Sequence, residues 1–264
     1  MENIPTSNIM KDAFGWEVPV ETVPLPSRGA LYSESSGLKD RETIQIKAMT
    51  AHEEDILLSQ AYIKEGTVIE KVIESCVTSN INTDDLILGD KNALMISIRI
   101  TGYGQDYNVY STCPHCNHKN DVCIDLTALP IRRMNIKPIK EGENIFSFEL
   151  PITKKIVNFR FTDGHVEKER ETVRKKYKAL GINKENNVTG YLESVILSID
   201  GVEDKNKITH FVRNMPAKDS RELRKFITEN EPGIDMKWDY QCQNCDESNQ
   251  INIPITSEFF WPNT

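Results

Sequence analysis

Two Cys-x-x-Cys elements, Cys113-Pro-His-Cys116 and Cys242-Gln-Asn-Cys245, are separated by 125 residues, and each lies between two stretches of strand character. No other feature constrains the fold as strongly. Each half offers two thiols from a tight turn, and four thiolates complete a closed tetrahedron around a d¹⁰ ion such as Zn2+. A closed shell leaves no position for water or substrate, so it clamps rather than catalyses. The flanks repeat as well. Tyr107-Asn-Val-Tyr110 before the first turn is similar to Met236-Lys-Trp-Asp-Tyr240 before the second, and Cys123-Ile-Asp-Leu126 after the first to Ile251-Asn-Ile-Pro254 after the second. Two such hairpins form a zinc-ribbon-like module, in which the ion joins strand pairs too short to persist alone.

The alternatives are two free dithiols, or a redox pair. A redox Cys-x-x-Cys opens a helix after a hydrophobic strand, whereas polar residues 117–121 and 246–250 follow here. His115, His118 and Cys123 are near enough to substitute as ligands, although the two cysteine pairs already fill the shell. Cys76 falls on an apolar helical pattern and is expected to be a buried small hydrophobe.

With 264 residues and 38% hydrophobic content, the chain can bury a core as one or two domains. No apolar run is long enough to span a bilayer, and the start Met1-Glu2-Asn3 lacks the basic and apolar regions of a secretory signal. A reducing cytoplasm is therefore the expected place of synthesis, where paired cysteines bind metals more often than they form disulfides. A net charge of −8 argues against a broad phosphate-binding surface.

The fold class expected is α+β, in which the four-Cys module of two β-knuckles (105–128 and 236–258) is joined to a helical part and a large insertion. Residues 1–48 hold four prolines that interrupt helices, so they form an extended arm ending in the alternating strand Thr43–Lys47. This arm either docks on a neighbouring subunit or straps its own core. Residues 49–104 are helical, with Thr50 and Glu53 as a capping box and Ile56, Leu57, Tyr62 and Ile63 as an apolar stripe. Glu53-Glu54-Asp55 is expected to be solvated in the first turn. Gly66 ends that helix, a second starts near Thr67, and a third starts after Asp90, with Gly102 and Gly104 releasing the chain. The insertion, 129–235, opens with a hairpin turned around Pro151–Lys154. It continues as a charged, solvent-facing helix at 165–180 and helices at 188–199, 205–213 and 216–230. The tail, 259–264, carries Phe259-Phe-Trp261, which either folds back on the second knuckle or plugs a neighbour.

Nothing in the chain assembles into a catalytic constellation: there is no nucleophile elbow, P-loop, dinucleotide glycine motif or framed carboxylate pair. The expectation is a binding protein without a small-molecule substrate.

A succession of motifs adds a resemblance. Leu25-Pro-Ser-Arg-Gly29 with Leu31-Tyr32, Met49-Thr-Ala-His-Glu-Glu-Asp55, Gly89-Asp-Lys-Asn-Ala93, Ile98-Arg-Ile-Thr-Gly-Tyr-Gly104, the Cys113 knuckle and Phe146-Ser-Phe-Glu-Leu-Pro151 come first. Asp200-Gly201, Phe211-Val-Arg-Asn-Met-Pro216, Glu229-Asn-Glu-Pro-Gly-Ile-Asp235 and Phe259-Phe-Trp-Pro262 follow. In this order they resemble the baseplate hub and hub-assembly proteins of T-even-like, contractile-tailed bacteriophages. The second knuckle departs from the usual pattern by lacking the Pro and following Gly of such turns, which leaves its turn geometry open.

The resemblance implies a virion tail-baseplate protein, made in the host cytoplasm, whose partners are other phage baseplate and tail proteins. Cys113, Cys116, Cys242 and Cys245 are the expected ligands of a structural Zn2+. Leu25, Arg28, Leu31 and Tyr32 of the arm and Phe260 and Trp261 of the tail are the candidate partner contacts. A transient assembly factor absent from the mature virion, and a zinc-ribbon nucleic-acid-binding protein, are the other readings; membrane contact is not expected.

Overall fold

The computed structural model describes residues 10–11, 15, 17–179, 187–253 and 257–260. Strands β1 (Met10–Lys11) and β2 (Glu17–Val18) pair, and β3 (Val20–Pro24) pairs with β4 (Thr43–Lys47). Ile44 and Ile46 of β4 face the core while Thr43 and Gln45 stay outside, as its alternation requires.

The stretch between β3 and β4 straps this protein's own core. Leu25 is 0% exposed and Leu31 and Tyr32 are 3% exposed, so these three candidate contacts have no surface to offer a partner. Their apolar area is better removed from water in cis, where α4 (below) supplies a matching face. Arg28 alone of the arm's candidates is exposed.

Four helices follow: α1 (Ala51–Leu58), α2 (Gln60–Glu65), α3 (Val68–Cys76) and α4 (Leu88–Tyr103). The capping box is present, since the Glu53 carboxylate accepts from both the Thr50 N–H and its hydroxyl. Glu53 is not solvated, however; it is fully buried, where Lys47 and Ser75 also bond to it. Burial alone would push its carboxyl up, but the Lys47, Ser75 and Thr50 bonds bring it down to about 2. The chain breaks at Ser59 between α1 and α2, which turns Ile63 outward (44% exposed) and out of the expected stripe. Helix α4 starts before Asp90 rather than after it, so Asp90 lies inside the helix and is buried. Gly102 is helical, against the Met49 side chain, and Gly104 alone ends α4.

Next come β5 (Asp106–Thr112), β6 (Lys119–Asp125), β7 (Ile131–Arg132), β8 (Phe146–Glu149) and β9 (Ile156–Phe159), then α5 (Gly164–Ala179) and α6 (Asn187–Val195). The remainder is β10 (Ile196–Ile199), α7 (Lys205–Asn214), α8 (Ala217–Asn230), β11 (Gly233–Ile234), β12 (Lys237–Gln241) and β13 (Ser248–Asn252). The helix expected over 188–199 stops at Val195. Ile196–Ile199 instead pairs with β9, Ile196 opposite Phe159, to make the sheet β10-β9-β8; Ile196, Ser198 and Ile199 are buried there, and the chain then turns at Asp200-Gly201.

Every ladder among the described strands is antiparallel. The β7–β11 ladder brings the two ends of the insertion together beside α4. There Gly89 is obligatory: a Cβ would stand 1.8 Å from the Pro232 carbonyl oxygen. Ile44, Ile73, Leu94, Ile124, Phe159, Leu223 and Phe259 belong to one continuous hydrophobic core. No helix among the described residues is long and apolar enough to cross a membrane.

Candidate metal centre

Hairpins β5–β6 and β12–β13 carry the two cysteine turns. In the first, the Cys113 N–H bonds to the His118 carbonyl and the Asn117 N–H to the Cys113 carbonyl, both at 2.9 Å. In the second, Cys242 bonds to Glu247 at 2.9 Å and Asp246 to Cys242 at 3.0 Å, which is the same pattern shifted by 129 positions. Asn117 (φ 58°) and Asp246 (φ 57°) occupy the left-handed region at equivalent places, a conformation that short polar Asn and Asp side chains tolerate. The second turn therefore reaches the same geometry without Pro or Gly. At this offset Ser111, not Tyr110, corresponds to Tyr240; Tyr110 is 77% exposed.

The turns face each other. The Sγ atoms of Cys113, Cys116, Cys242 and Cys245 all lie within 4.8 Å of one another, with Cys113 to Cys245 at 3.8 Å and Cys116 to Cys242 at 3.6 Å. Metal–sulfur bonds of about 2.3 Å in a tetrahedron require sulfur–sulfur edges of about 3.8 Å, so the donor set fits one tetrahedral ion. Cys113 and Cys242 are buried and their partners half-buried. Burial opposes ionisation of the Cys242 thiol, yet the backbone N–H groups of Asn244 and Cys245 and the adjacent thiols bring it down to about 6. The Cys113 thiol is lowered too, the N–H groups of Cys116 and His115 outweighing burial. The N–H groups that favour thiolate at each first cysteine would equally support a sulfur bound to a cation.

Two asparagines at equivalent positions lace the knuckles together. The Asn120 amide oxygen accepts from the Gln243 N–H at 2.8 Å, and its NH2 donates to the His118 carbonyl at 3.2 Å. Asn249 donates to the matching Glu247 carbonyl at 2.9 Å. The counterpart of Gln243 is Pro114, which has no N–H, and Asn249 instead directs its NH2 to Cys113 Sγ at 3.6 Å. The equivalent residues Ser111 and Tyr240 touch through their hydroxyl oxygens at 2.9 Å. Repetition of Asn seven residues after each first cysteine was the available sequence signal for this lacing.

Among the described residues, the close cluster contains these four cysteines and neither His115, His118 nor Cys123. Cys123 is exposed on β6, and Cys76 is buried in α3, where burial pushes its thiol up to about 12. Phe259 and Phe260 are 0% exposed, which removes Phe260 from the accessible partner contacts; Trp261 lies outside the described residues. The described part of the tail, Phe259 and Phe260, meets the first knuckle and α4. Phe259 packs edge-on against Tyr107 with ring centroids 5.1 Å apart, and the Phe259 carbonyl accepts from Arg99 Nε at 3.2 Å. Arg99, 2% exposed, also donates to the carbonyls of Gly104 at 2.9 Å and Asp106 at 3.3 Å, tying the tail to the entrance of β5.

Two of the sequence motifs meet at Asp90. Its carboxylate accepts from the Ser27 N–H at 2.9 Å, the Ser27 hydroxyl and the Tyr32 hydroxyl at 2.6 Å.

From residue 25 to residue 261 the sequence matches the model of a protein family described as T4 bacteriophage base plate protein. Comparisons with curated proteins and with solved structures returned no match.

Proposed function

This chain belongs to the T4 bacteriophage base plate protein family, and we propose that it is a structural subunit of the baseplate hub that holds one Zn2+ between its knuckles and binds neighbouring baseplate proteins during assembly. Family membership implies a component of the virion tail that meets other tail and baseplate proteins, and a structural rather than an enzymatic role.

The observation that carries the metal reading is the four-sulfur cluster, whose edges suit a single tetrahedral ion. Zn2+ is the proposed occupant because it has no redox chemistry and no geometric preference of its own. Ligation would fix the pose of the first knuckle, which continues from α4, relative to the second, which follows the insertion. Such a cross-link stiffens a subunit that must present fixed surfaces to several neighbours.

Quantitative mass spectrometry of purified particles, together with elemental analysis of the purified chain, tests both parts. Recovery of the chain in particles at a fixed ratio to tail proteins, with one zinc per chain, is expected. A chain abundant in infected cells and missing from finished particles would instead mark a transient assembly factor, and a chain without bound metal would remove the zinc clamp.

A further inference from the structure

We propose that Arg28, carried on a rigidly braced turn, is an anchor for a carboxylate on a different baseplate subunit, an inference that rests on the baseplate reading above. Arg28 and Gly29 are the central residues of the turn Ser27–Ala30, closed by the Ala30 N–H to the Ser27 carbonyl at 3.2 Å. Both have positive φ, 54° and 74°, the form of a type I′ turn. Gly29 is required there, because a Cβ would stand 2.3 Å from the Arg41 backbone nitrogen. Arg28 is not the residue local preference selects: the first central position favours Asn, Asp or Gly, and a long side chain at φ 54° is strained.

The surroundings hold this strained residue still. Asp90 binds Ser27 through both its N–H and its hydroxyl, the Gly29 N–H bonds to Ser27 Oγ at 3.1 Å, and the Arg133 guanidinium bonds to the carbonyls of Leu25 and Pro26. A buried carboxylate and a second arginine thus brace the base of the turn. Its tip carries an exposed guanidinium with no hydrogen bond or ion pair to any described residue. Binding a partner through Arg28 would cost little backbone ordering, because the turn is already fixed.

A guanidinium fork pairs best with a planar, bidentate carboxylate. One such group is no track for a nucleic-acid backbone, and the net charge of −8 repels phosphate chains. The same charge biases two copies of this chain against close approach, and the carboxylate is accordingly assigned to a different subunit.

The test uses virus in which the variant is the only copy of the full-length chain. Arg28→Gly is expected to raise Tm, since glycine accepts the left-handed backbone, yet to lower recovery of the chain in purified baseplates at least tenfold. Arg28→Lys should retain an intermediate level and Arg28→Glu should reach background. A photo-crosslinking residue at exposed Asp40, whose N–H bonds to the Gly29 carbonyl at 3.1 Å, is expected to capture a different virion protein. Wild-type-level recovery of Arg28→Gly, or capture of a second copy of this chain, would overturn the assignment while leaving the baseplate reading intact. Absence of the wild-type chain from baseplates would overturn both.

Discussion

Asn120 Oδ1 and the Gln243 backbone nitrogen, 123 residues apart, are hydrogen-bonded at 2.8 Å, so a side chain from the first knuckle fastens the tip of the second without any ion. Replacing Asn120 with Leu takes this acceptor from the Gln243 N–H in a part-buried setting, while the His118 carbonyl keeps the Cys113 N–H. A loss of about 0.5–1.5 kcal/mol in denaturant unfolding is expected, together with faster metal release to a chelator. Unchanged release kinetics would mean that the ion alone aligns the knuckles.

Cys113→Ser and Cys242→Ser each remove one of the four thiolates. Bound metal should fall from one per chain to a small fraction, and unfolding should lose cooperativity around the hairpins β5–β6 and β12–β13, since ligation energy is folding energy in such sites. Elemental analysis and amide hydrogen exchange check both. Metal content equal to that of the wild type would exclude these sulfurs as ligands.

Glu53 makes stability pH-dependent in a stated direction. Its folded pKa of about 2 lies below the ordinary value of 4.5 because the Lys47, Ser75 and Thr50 bonds outweigh burial. The stabilisation is therefore complete above about pH 4.5 and is lost as pH falls toward 2. Glu53→Gln is expected to be less stable than the wild type at pH 7, by about 1–2 kcal/mol after screening of the partly exposed Lys47. The gap should close on acidification through that window, as followed by Tm against pH. A gap constant from pH 7 to pH 3 would contradict the assignment.

Gly89→Ala places a methyl group where the Pro232 carbonyl oxygen stands, 1.8 Å away. The obstacle is backbone immediately before β11, so relief requires moving α4 from the β7–β11 ladder. A destabilisation of roughly 4 kcal/mol or more is expected, in the range reserved for steric conflicts in packed interiors. Gly142, unlike the helical Gly89, has positive φ (78°), and a Cβ there would meet its nearest neighbour at 3.3 Å; Gly142→Ala should cost markedly less despite that backbone strain and serves as the comparison. Equal Tm values for the two variants would show that the α4–β11 contact yields easily.

What could be read locally was whatever is written in nearest neighbours along the chain. A metal knuckle needs two cysteines, a turn and flanking alternation within about a dozen residues, and the expected convergence of the two halves followed from the coordination number of a tetrahedral ion. The Thr50–Glu53 box, the strand Thr43–Lys47 and the hairpin around Pro151 were legible for the same reason. Tertiary structure decided which surface covers each apolar segment. Leu25, Leu31 and Tyr32 and the aromatic Phe259 and Phe260 could serve a neighbour or their own core equally well by pattern. They went inward because α4 offers the buried Asp90 to the Ser27 strap and Arg99 to the tail. Ile196–Ile199 has apolar content that suits a helix or a strand, and only the free edge of β9 made it a strand. Even Glu53, an ordinary first-turn carboxylate by position, became a buried acceptor when Lys47 and Ser75 arrived from other elements. Such outcomes depend on contacts between residues tens of positions apart, whose free energies no local window contains.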